Sequence, residues 1–226
     1  MLQKLLRNRN PKIKVDEKIS FLTLFWFVIY NAFGFIRYLF YLLTLKIKGT
    51  GLIVIKSGFI LNGPKINIGS YTIIEENVRI KTLSKNSIYI GKSCRLGYCM
   101  EIQSGLQLSD PTGIIKIENN VAIGAYSHIG GAGSVLIGNN CIIGPYFSVH
   151  SENHSFELED GLFRNQKVKR LGIVIGENCW IGAKVTVLDG VTIGNNSVIA
   201  AGSVVTKSFS DGVLLAGVPA KVIRKL

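Results

Sequence analysis

An aliphatic residue recurs at every sixth position in the C-terminal half of the chain, and this period constrains the fold more than any other feature. The longest uninterrupted run contains Ile175, Ile181, Val187, Ile193, Ile199 and Val205. An α-helix would repeat its apolar face at about 3.6 residues, and a half-buried strand would repeat at about 2. A period of six requires a chain that turns a corner once per repeat, and hexapeptide periods are typical of a parallel β-helix.

The same period continues upstream in four shorter runs whose phase slips from one to the next. These runs contain Ile68, Ile74 and Ile80; Ile90, Leu96, Ile102 and Leu108; Ile117, Ile123 and Ile129; and Ile137, Ile143 and Val149. Insertions at corners would produce such slips. We therefore predict an all-β solenoid over residues 49–208, with a projecting loop at about 151–172 where the period breaks, because a solenoid grows by adding coils.

Other residue types follow the aliphatic position at fixed offsets. Glycine comes directly after it at Gly69, Gly91, Gly97, Gly124, Gly130, Gly138, Gly144, Gly176, Gly182 and Gly194. Asparagine comes three residues after it at Asn77, Asn120, Asn140, Asn178 and Asn196. Both types tolerate positive φ, so we predict that both form the corners. A small or medium residue four positions on, including Cys94, Cys141 and Cys179, is predicted to point inward, which makes these cysteines packing residues.

Three longer segments resemble the hexapeptide-repeat acyltransferases, in particular the galactoside, maltose and polysaccharide O-acetyltransferases. They are Ile175-Gly-Glu-Asn-Cys-Trp-Ile-Gly-Ala-Lys-Val, Ala200-Ala-Gly-Ser-Val-Val-Thr-Lys207 and Ala216-Gly-Val-Pro-Ala-Lys-Val-Ile-Arg224. The resemblance covers roughly residues 50–226 and implies a left-handed, three-sided parallel β-helix followed by a short C-terminal extension at 209–226. It also implies a homotrimer that uses acetyl-CoA as co-substrate and needs no metal.

The N-terminal residues 1–48 differ in composition from the rest of the chain. Between 21 and 45 the chain is rich in aromatic residues and carries Arg37 as its only charge, and lysines and arginines flank this window on both sides. An apolar segment bracketed by cations predicts a helix lying on an anionic membrane surface. A helix that packs on the solenoid and a membrane-spanning helix are the alternatives, although 16 uncharged residues before Arg37 are short for a span.

The formal net charge of +12 also suits a nucleic-acid partner. No stripe of basic and aromatic residues supports that interpretation, so we expect no nucleic acid. The apolar stretch starts late for a cleavable secretory signal, and the four cysteines form no Cys-x-x-Cys pair. We expect a cytoplasmic protein at the inner face of the cytoplasmic membrane.

Transfer of an acetyl group to a hydroxyl requires a base, and imidazole is the side chain suited to that task near neutral pH. The chain has three histidines, His128, His150 and His154. The segment that ends at His154 is similar to the family segment that ends in its catalytic histidine, which favours His154 over His150. We place His128, Tyr146 and Glu152 on the acceptor side, and Glu152, Glu157 and Glu159 are candidates to orient the imidazole.

The resemblance also places the donor site along the C-terminal coils, in a groove between two subunits. The positions that match the family's acetyl-CoA contacts are Trp180, Gly182, Ala183, Ala201, Gly202, Thr206, Lys207, Lys221 and Arg224. Lysine and arginine suit the phosphates of coenzyme A through charge-assisted hydrogen bonds.

The acceptor implied by the membrane-seeking N-terminus is a sugar hydroxyl of a bacterial surface polysaccharide or a lipid-linked glycan. Transfer to the amine of a nucleotide-linked sugar and transfer to serine are alternatives on the same fold. Two further alternatives are a metal-dependent hydratase, which would bind zinc through three histidines, and a non-catalytic β-helical scaffold.

Overall fold

The computed structural model describes residues 20–105, 111–155, 162, 163 and 166–226. The predicted aliphatic position Leu108 lies outside these residues. Within the described ranges there is one α-helix, α1 (Phe21–Thr44), and one short 3₁₀ turn, Gly63–Lys65. The strands are β1 (Lys48–Gly49), β2 (Val54–Ile55), β3 (Gly58–Leu61), β4 (Ile66–Ile68), β5 (Ile73–Ile74), β6 (Val78–Thr82), β7 (Ile88–Ile90), β8 (Arg95–Leu96), β9 (Glu101–Ser104), β10 (Ile115–Ile117), β11 (Ala122–Ile123), β12 (His128–Gly130), β13 (Val135–Ile137), β14 (Ile142–Ile143), β15 (Ser148–His150), β16 (Asn153–His154), β17 (Val168–Lys169), β18 (Ile173–Ile175), β19 (Trp180–Ile181), β20 (Thr186–Leu188), β21 (Thr192–Ile193), β22 (Val198–Ile199), β23 (Val204–Val205), β24 (Val213–Gly217) and β25 (Ala220–Lys225).

The strands form three long sheets that the chain visits in turn. The first sheet has the order β1-β4-β7-β10-β13-β18-β21, the second β2-β5-β8-β11-β14-β19-β22-β24-β25, and the third β3-β6-β9-β12-β15-β20-β23. Neighbouring strands are parallel throughout these sheets except for the terminal β24–β25 hairpin. The chain is therefore a three-sided parallel β-helix, as the six-residue period predicts. Residues 213–217 extend the second sheet beyond residue 208.

The interior of the coil is built from the repeated aliphatic positions. Every one of these positions that the structure describes is buried, from Ile68 in an early coil to Val205 in a late one. Cys94, Cys141 and Cys179 are also buried, so the prediction that they pack inside the coil is confirmed. Burial of about 25 cal/mol for each Å² of apolar surface makes this continuous column the main source of stability.

The corners confirm the prediction for asparagine, whereas the glycines lie at or next to corners without the positive φ on which their prediction rested. The five predicted asparagines all have positive φ, between 54° for Asn196 and 62° for Asn140. None of the ten predicted glycines has positive φ. Their role is close approach between coils: a Cβ on Gly124 would lie 2.3 Å from the backbone nitrogen of Pro145, and one on Gly182 would lie 2.5 Å from that of Ala201. Glycine is therefore required at these positions because a neighbouring coil leaves no space for a side chain.

A second set of positive-φ residues lies at the corner between the second and third sheets, which we call the second corner. Cys99, Tyr126, Tyr146 and Lys184 occupy this corner in consecutive coils, with φ between 54° and 59°. The backbone N–H of each donates to a carbonyl of the preceding coil, as Tyr146 does to Ala125 and Lys184 does to Pro145. The corner residues therefore form a column parallel to the axis of the β-helix.

Helix α1 packs on the first coils of the β-helix through one side only. Tyr38 is buried, its hydroxyl lies beside Gly49, and a Cβ on Gly34 would lie 2.6 Å from Val54 Cγ1. Tyr41 donates a hydrogen bond to the carbonyl of Gly58 at 3.2 Å. The helix begins after Ser20, whose side chain accepts from the backbone N–H of Thr23 and so satisfies one free donor of the first turn.

The segment at the break in the period contains a small antiparallel pair outside the three sheets. Strand β16 pairs with β17, with Asn153 opposite Lys169 and His154 opposite Val168. Ser155 extends the pairing by donating its backbone N–H to the carbonyl of Lys167 at 3.0 Å. This pairing fixes the backbone of His154 beside the third sheet.

Candidate active site

One pocket of about 270 Å³ lies beside the β16–β17 pair, at the C-terminal ends of strands β9, β12 and β15 of the third sheet. Its lining includes all three histidines of the chain. The residues that line it are Gln103, Ser104, Gly105, His128, Gly130, Gly131, Ala132, His150, Glu152, His154 and Arg170. Strands β9, β12 and β15 are parallel neighbours in the third sheet. Their outward side chains therefore lie in adjacent rows, which brings the residues they carry together at the pocket.

His128 is only partly exposed to the pocket. Its Nδ1 lies 3.8 Å from Glu101 Oε2, and its Nε2 lies 3.4 Å from Gln103 Nε2. Burial lowers the pKa of His128, and the nearby His150 lowers it further against the opposing effect of Glu101. His128 is therefore neutral at neutral pH and offers one donor and one acceptor to the pocket.

Glu101 is held ionised beside His128. Lys81 Nζ donates to Glu101 Oε1 at 2.6 Å, and this hydrogen bond lowers the pKa of Glu101 against the effect of burial. Glu101 lies directly opposite His128 in the parallel register of β9 and β12. The carboxylate thus already has a cationic partner in Lys81 and does not depend on a charged imidazole.

His150 lies close to His128 and contacts a hydroxyl. The two imidazole centroids are 5.5 Å apart with planes inclined by 30°, and His150 Nε2 lies 2.8 Å from Ser148 Oγ. Ser148 and His150 are two residues apart on β15 and therefore face the same side of the sheet. This hydrogen bond occupies one ring nitrogen of His150.

His154 reaches the pocket from the β16–β17 pair and is exposed. Within the described part of the chain, no side-chain hydrogen bond occupies its imidazole. Its ring nitrogens therefore remain available to a ligand in the pocket, whereas one nitrogen of His150 is already engaged.

Glu152 contacts a cation in this structure. Arg170 Nε donates to Glu152 Oε2 at 3.1 Å, and Arg170 Nη1 donates to Thr112 Oγ1 at 3.2 Å. The Arg170 side chain is 13% exposed, so the guanidinium is a nearly buried positive charge at the pocket wall. Among the described contacts Glu152 fixes Arg170 and makes none with His154, and the other two candidates, Glu157 and Glu159, lie outside the described residues.

Among the residues in or beside the pocket, the sequence did not predict Ser148, Gln103 and Arg170 as site residues. Ser148 carries a usable signal, because it precedes His150 by two residues on one strand. Gln103 lies directly opposite Gly130 in the parallel register, a relation that becomes visible only when the coils are aligned. Arg170 follows β17, and no periodicity predicts how that segment folds back onto the pocket.

The candidate donor residues lie on other parts of the surface, and none of them lines the pocket described above. Trp180 is on the outer face of the second sheet, where it is 61% exposed beside Ile142. The pairs 182–183 and 201–202 occupy the second corner in adjacent coils, joined by a hydrogen bond from Gly202 N–H to the carbonyl of Ala183. Thr206 and Lys207 follow β23, and Lys221 and Arg224 lie on β25.

Tyr146 belongs to the same column as these donor candidates. Its ring is 51% exposed at the second corner and stacks on Tyr126 at 5.2 Å. It therefore lies along the edge that connects positions 182–183 with the coils carrying His128 and His150.

As for metals, no three His, Cys, Asp or Glu side chains cluster in a metal-binding arrangement within the described ranges.

Two segments of the chain match known repeat families. Residues 172–207 match the family described as bacterial transferase hexapeptide (six repeats), and residues 114–144 match the family described as hexapeptide repeat of succinyl-transferase. Galactoside O-acetyltransferase of Escherichia coli (strain K12) is 44% identical over 93 residues, which cover 41% of this chain and 45% of that protein. The putative lipopolysaccharide biosynthesis O-acetyl transferase WbbJ of the same organism is 37% identical over 120 residues, which cover 50% of this chain and 61% of that protein. The aligned segments thus span about half of these relatives.

A solved structure shares the fold over most of the chain. It is a variant of AntD, an N-acyltransferase from Bacillus cereus, in complex with dTDP-4-amino-4,6-dideoxyglucose and coenzyme A. The alignment has a TM-score of 0.53 and 19% sequence identity, and it covers 81% of this chain and 87% of that one. At this identity the likeness establishes the architecture alone.

Proposed function

We propose that this chain is a hexapeptide-repeat acyltransferase that transfers an acetyl group from acetyl-CoA to a sugar hydroxyl, because two of its segments match hexapeptide transferase families and one resembles galactoside O-acetyltransferase. The proposed acceptor is a bacterial surface polysaccharide or a lipid-linked glycan precursor. The observation that carries the proposal is the convergence of three imidazoles on one open pocket, at the C-terminal ends of central strands of the third sheet. The relatives named as O-acetyltransferases support oxygen as the acceptor atom.

In the proposed mechanism His154 is the general base. Its imidazole accepts the hydroxyl proton as the sugar oxygen attacks the thioester carbonyl, and the carbon–oxygen bond forms. The carbon–sulfur bond then breaks, and the departing thiolate takes the proton from the imidazole. Two features support this assignment: His154 is exposed to the pocket, and no described side chain occupies its ring nitrogens.

The remaining pocket residues have binding roles in this proposal. Neutral His128 and the amide of Gln103 present donors and acceptors that suit sugar hydroxyls. Arg170, held by Glu152, contributes a fixed positive charge to the wall. A preformed positive charge stabilises the oxyanion of acyl transfer only if it lies next to that oxygen. We therefore assign Arg170 and Glu152 to positioning the acceptor.

We propose that acetyl-CoA lies along the second corner. At this corner Gly182 and Ala183 are partly exposed and Ala201 and Gly202 are exposed, and none of the four carries a large side chain. A Cβ on Gly202 would have no atom within 4 Å, so this part of the edge is open. Thr206, Lys207, Lys221 and Arg224 are exposed in the C-terminal part of the chain, and the three cations suit the phosphates of coenzyme A.

A homotrimer of left-handed β-helices completes the proposal. Ile142 and Trp180 are paired neighbours on the second sheet and are 62% and 61% exposed, so they form an apolar surface that a second copy would cover. We expect light scattering to report a trimer and Ile142→Asp to weaken it. A stable, fully active monomer would contradict this prediction.

We further propose that helix α1 lies on the cytoplasmic membrane surface. The helix is long and apolar enough to cross a membrane, and only 11% of its most apolar window is buried. Its residues Tyr38 and Tyr41 nevertheless hold it against the first coils, which favours an orientation along the surface over a span. Away from this contact the helix exposes Trp26 and Phe33, at 60% and 64%.

Replacing Trp26 and Phe33 together by glutamate should release the protein from membranes. Two large apolar side chains contribute several kcal/mol to insertion, so we expect at least a roughly tenfold loss of binding. Flotation with vesicles that contain phosphatidylglycerol measures this binding. Phe59→Glu, which changes an aromatic residue of similar exposure on β3, is the control and should still float. Equal flotation of the wild type and both variants would contradict the proposal that helix α1 binds the membrane surface.

A further inference from the structure

Three tyrosines on consecutive coils form an aromatic ladder along the second corner. Tyr98 and Tyr126 meet edge to face with centroids 5.5 Å apart, and Tyr126 and Tyr146 stack at 5.2 Å with planes only 9° apart. The three residues are 39%, 49% and 51% exposed. Lys184, on the next coil, places its Nζ 6.0 Å from the Tyr146 centroid. The tyrosine ladder is thus a solvent-facing strip that runs parallel to the axis of the β-helix.

The backbone of the ladder adopts a conformation that tyrosine disfavours. Tyr126 and Tyr146 have φ of 58° and 59°, in the left-handed region where bulky residues are outliers. The first corner, between the first and second sheets, mostly uses asparagine in this conformation, which tolerates it at less cost. The rings are half exposed and fill no part of the core. The stability of the fold therefore does not explain why tyrosine occupies these positions. A role in binding at the surface of the protein explains it.

The ladder borders the polar outer face of the third sheet. Tyr126 precedes His128 by two residues and Tyr146 precedes Ser148 by two, so the ladder adjoins the ends of β12 and β15 at which the chain enters the third sheet. A shallow depression continues this face toward the N-terminal coils, and its lining includes Asn77, Arg79 and Glu101. The histidine pocket, the depression and the ladder form one elongated surface, with hydrogen-bonding groups along its centre and aromatic rings along its edge.

We propose that the tyrosine ladder binds an oligosaccharide chain of the acceptor, with sugar C–H faces stacked on the rings and hydroxyls bonded to the polar face. This proposal rests on the proposed function and narrows its substrate class to glycan chains of several sugars. A pocket of about 270 Å³ accommodates little more than one sugar. The ladder spans three coils, or about 10 Å between its outer rings at about 4.8 Å for each coil, and so extends the site to neighbouring sugars.

Asparagine substitutions test this proposal without disturbing the corner backbone. Tyr126→Asn and Tyr146→Asn remove the rings and keep a residue that tolerates positive φ. Tyr71→Asn is the matched control, because Tyr71 has φ of 62° but lies at the first corner. The probes are fragments of one to six sugars, prepared by partial hydrolysis of the host's de-O-acetylated surface polysaccharide. Saturation-transfer NMR measures their binding, and acetylation of the same fragments is measured separately.

We expect the affinity of the wild-type protein to rise with fragment length, and the affinity of each ladder variant for the longest fragment to fall by about tenfold. Tyr71→Asn should bind as the wild type does. Length-independent binding, or unchanged binding by both ladder variants, would overturn the proposal even if acetyl transfer is normal. A reduced oligomer mass with unchanged glycan binding would identify the ladder as a contact between copies and also overturn it. Length-dependent binding without any acetyl transfer would preserve the ladder and refute the proposed function.

Discussion

We expect His154→Ala to lower the turnover of the proposed acetyl transfer by about 10²–10⁴-fold, which is the usual contribution of a positioned proton acceptor. The physical reason is that the sugar hydroxyl must lose its proton as it attacks, and no other imidazole of the pocket is equally available. His128 is partly buried with a lowered pKa, and His150 is hydrogen-bonded to Ser148. Steady-state kinetics with saturating acetyl-CoA measures the loss.

The control for this substitution is His150→Ala, which removes a neighbouring imidazole from the same pocket. We expect it to cost much less than His154→Ala. Both variants should keep their oligomeric mass and their affinity for acetyl-CoA, because the proposed donor positions lie along the second corner and on β25. An inactive His150→Ala together with an active His154→Ala would show that the wrong histidine has been assigned as the base.

We expect Gly124→Ala to destabilise the β-helix by about 3 kcal/mol, at the upper end of the usual cost of overpacking. The added Cβ would lie 2.3 Å from the nitrogen of Pro145 and 2.6 Å from the carbonyl carbon of Gly144. Both atoms belong to the backbone of the next coil, which parallel pairing holds in place, so no side-chain rotation relieves the clash. In a chain of this size the loss corresponds to a fall of roughly 6–12 °C in Tm, measurable by calorimetry.

Gly212→Asn serves as the control for the glycine argument. Gly212 has φ of 67°, and a Cβ added there would meet no atom within 4 Å, so asparagine should be accepted with little change in Tm. If Gly124→Ala and Gly212→Asn unfold at the same temperature as the wild type, close approach between coils is not the reason for the repeated glycines.

The period of six was sufficient to predict a parallel β-helix, because each aliphatic position must face the same narrow interior, whereas its three sides were implied by the family resemblance. The slips in phase also have their expected cause, since residues such as Gly131 and Gly133 lie in the longer corners between runs. The role of the glycines could not be read from spacing alone. Positive φ and close approach both select glycine, and only the distance from Gly124 to the coil of Pro145 separates the two explanations.

The candidate site was only partly predictable. The three histidines stand out in composition, but their convergence depends on which strands become neighbours after each corner. The register that places Gly130 opposite His150 brings the imidazoles of His128 and His150 within 5.5 Å. Arg170 has no sequence signal, because its position depends on the antiparallel pairing of β16 with β17, which no periodicity predicts. Of the tyrosine ladder only Tyr146 was a candidate, since the offsets that predict corners are those of glycine and asparagine.

The most direct test of the central proposal is the fate of labelled acetyl groups. The full-length protein is incubated with acetyl-CoA labelled in the acetyl group and with a panel of glycans that includes a nucleotide-linked amino sugar. The products are analysed by mass spectrometry before and after mild alkali, which cleaves acetyl esters and leaves acetyl amides intact. We predict that a glycan gains one labelled acetyl group and loses it in alkali, and that the product is absent with His154→Ala. Label that resists alkali, or label on none of the glycans, would contradict O-acetyl transfer to sugar.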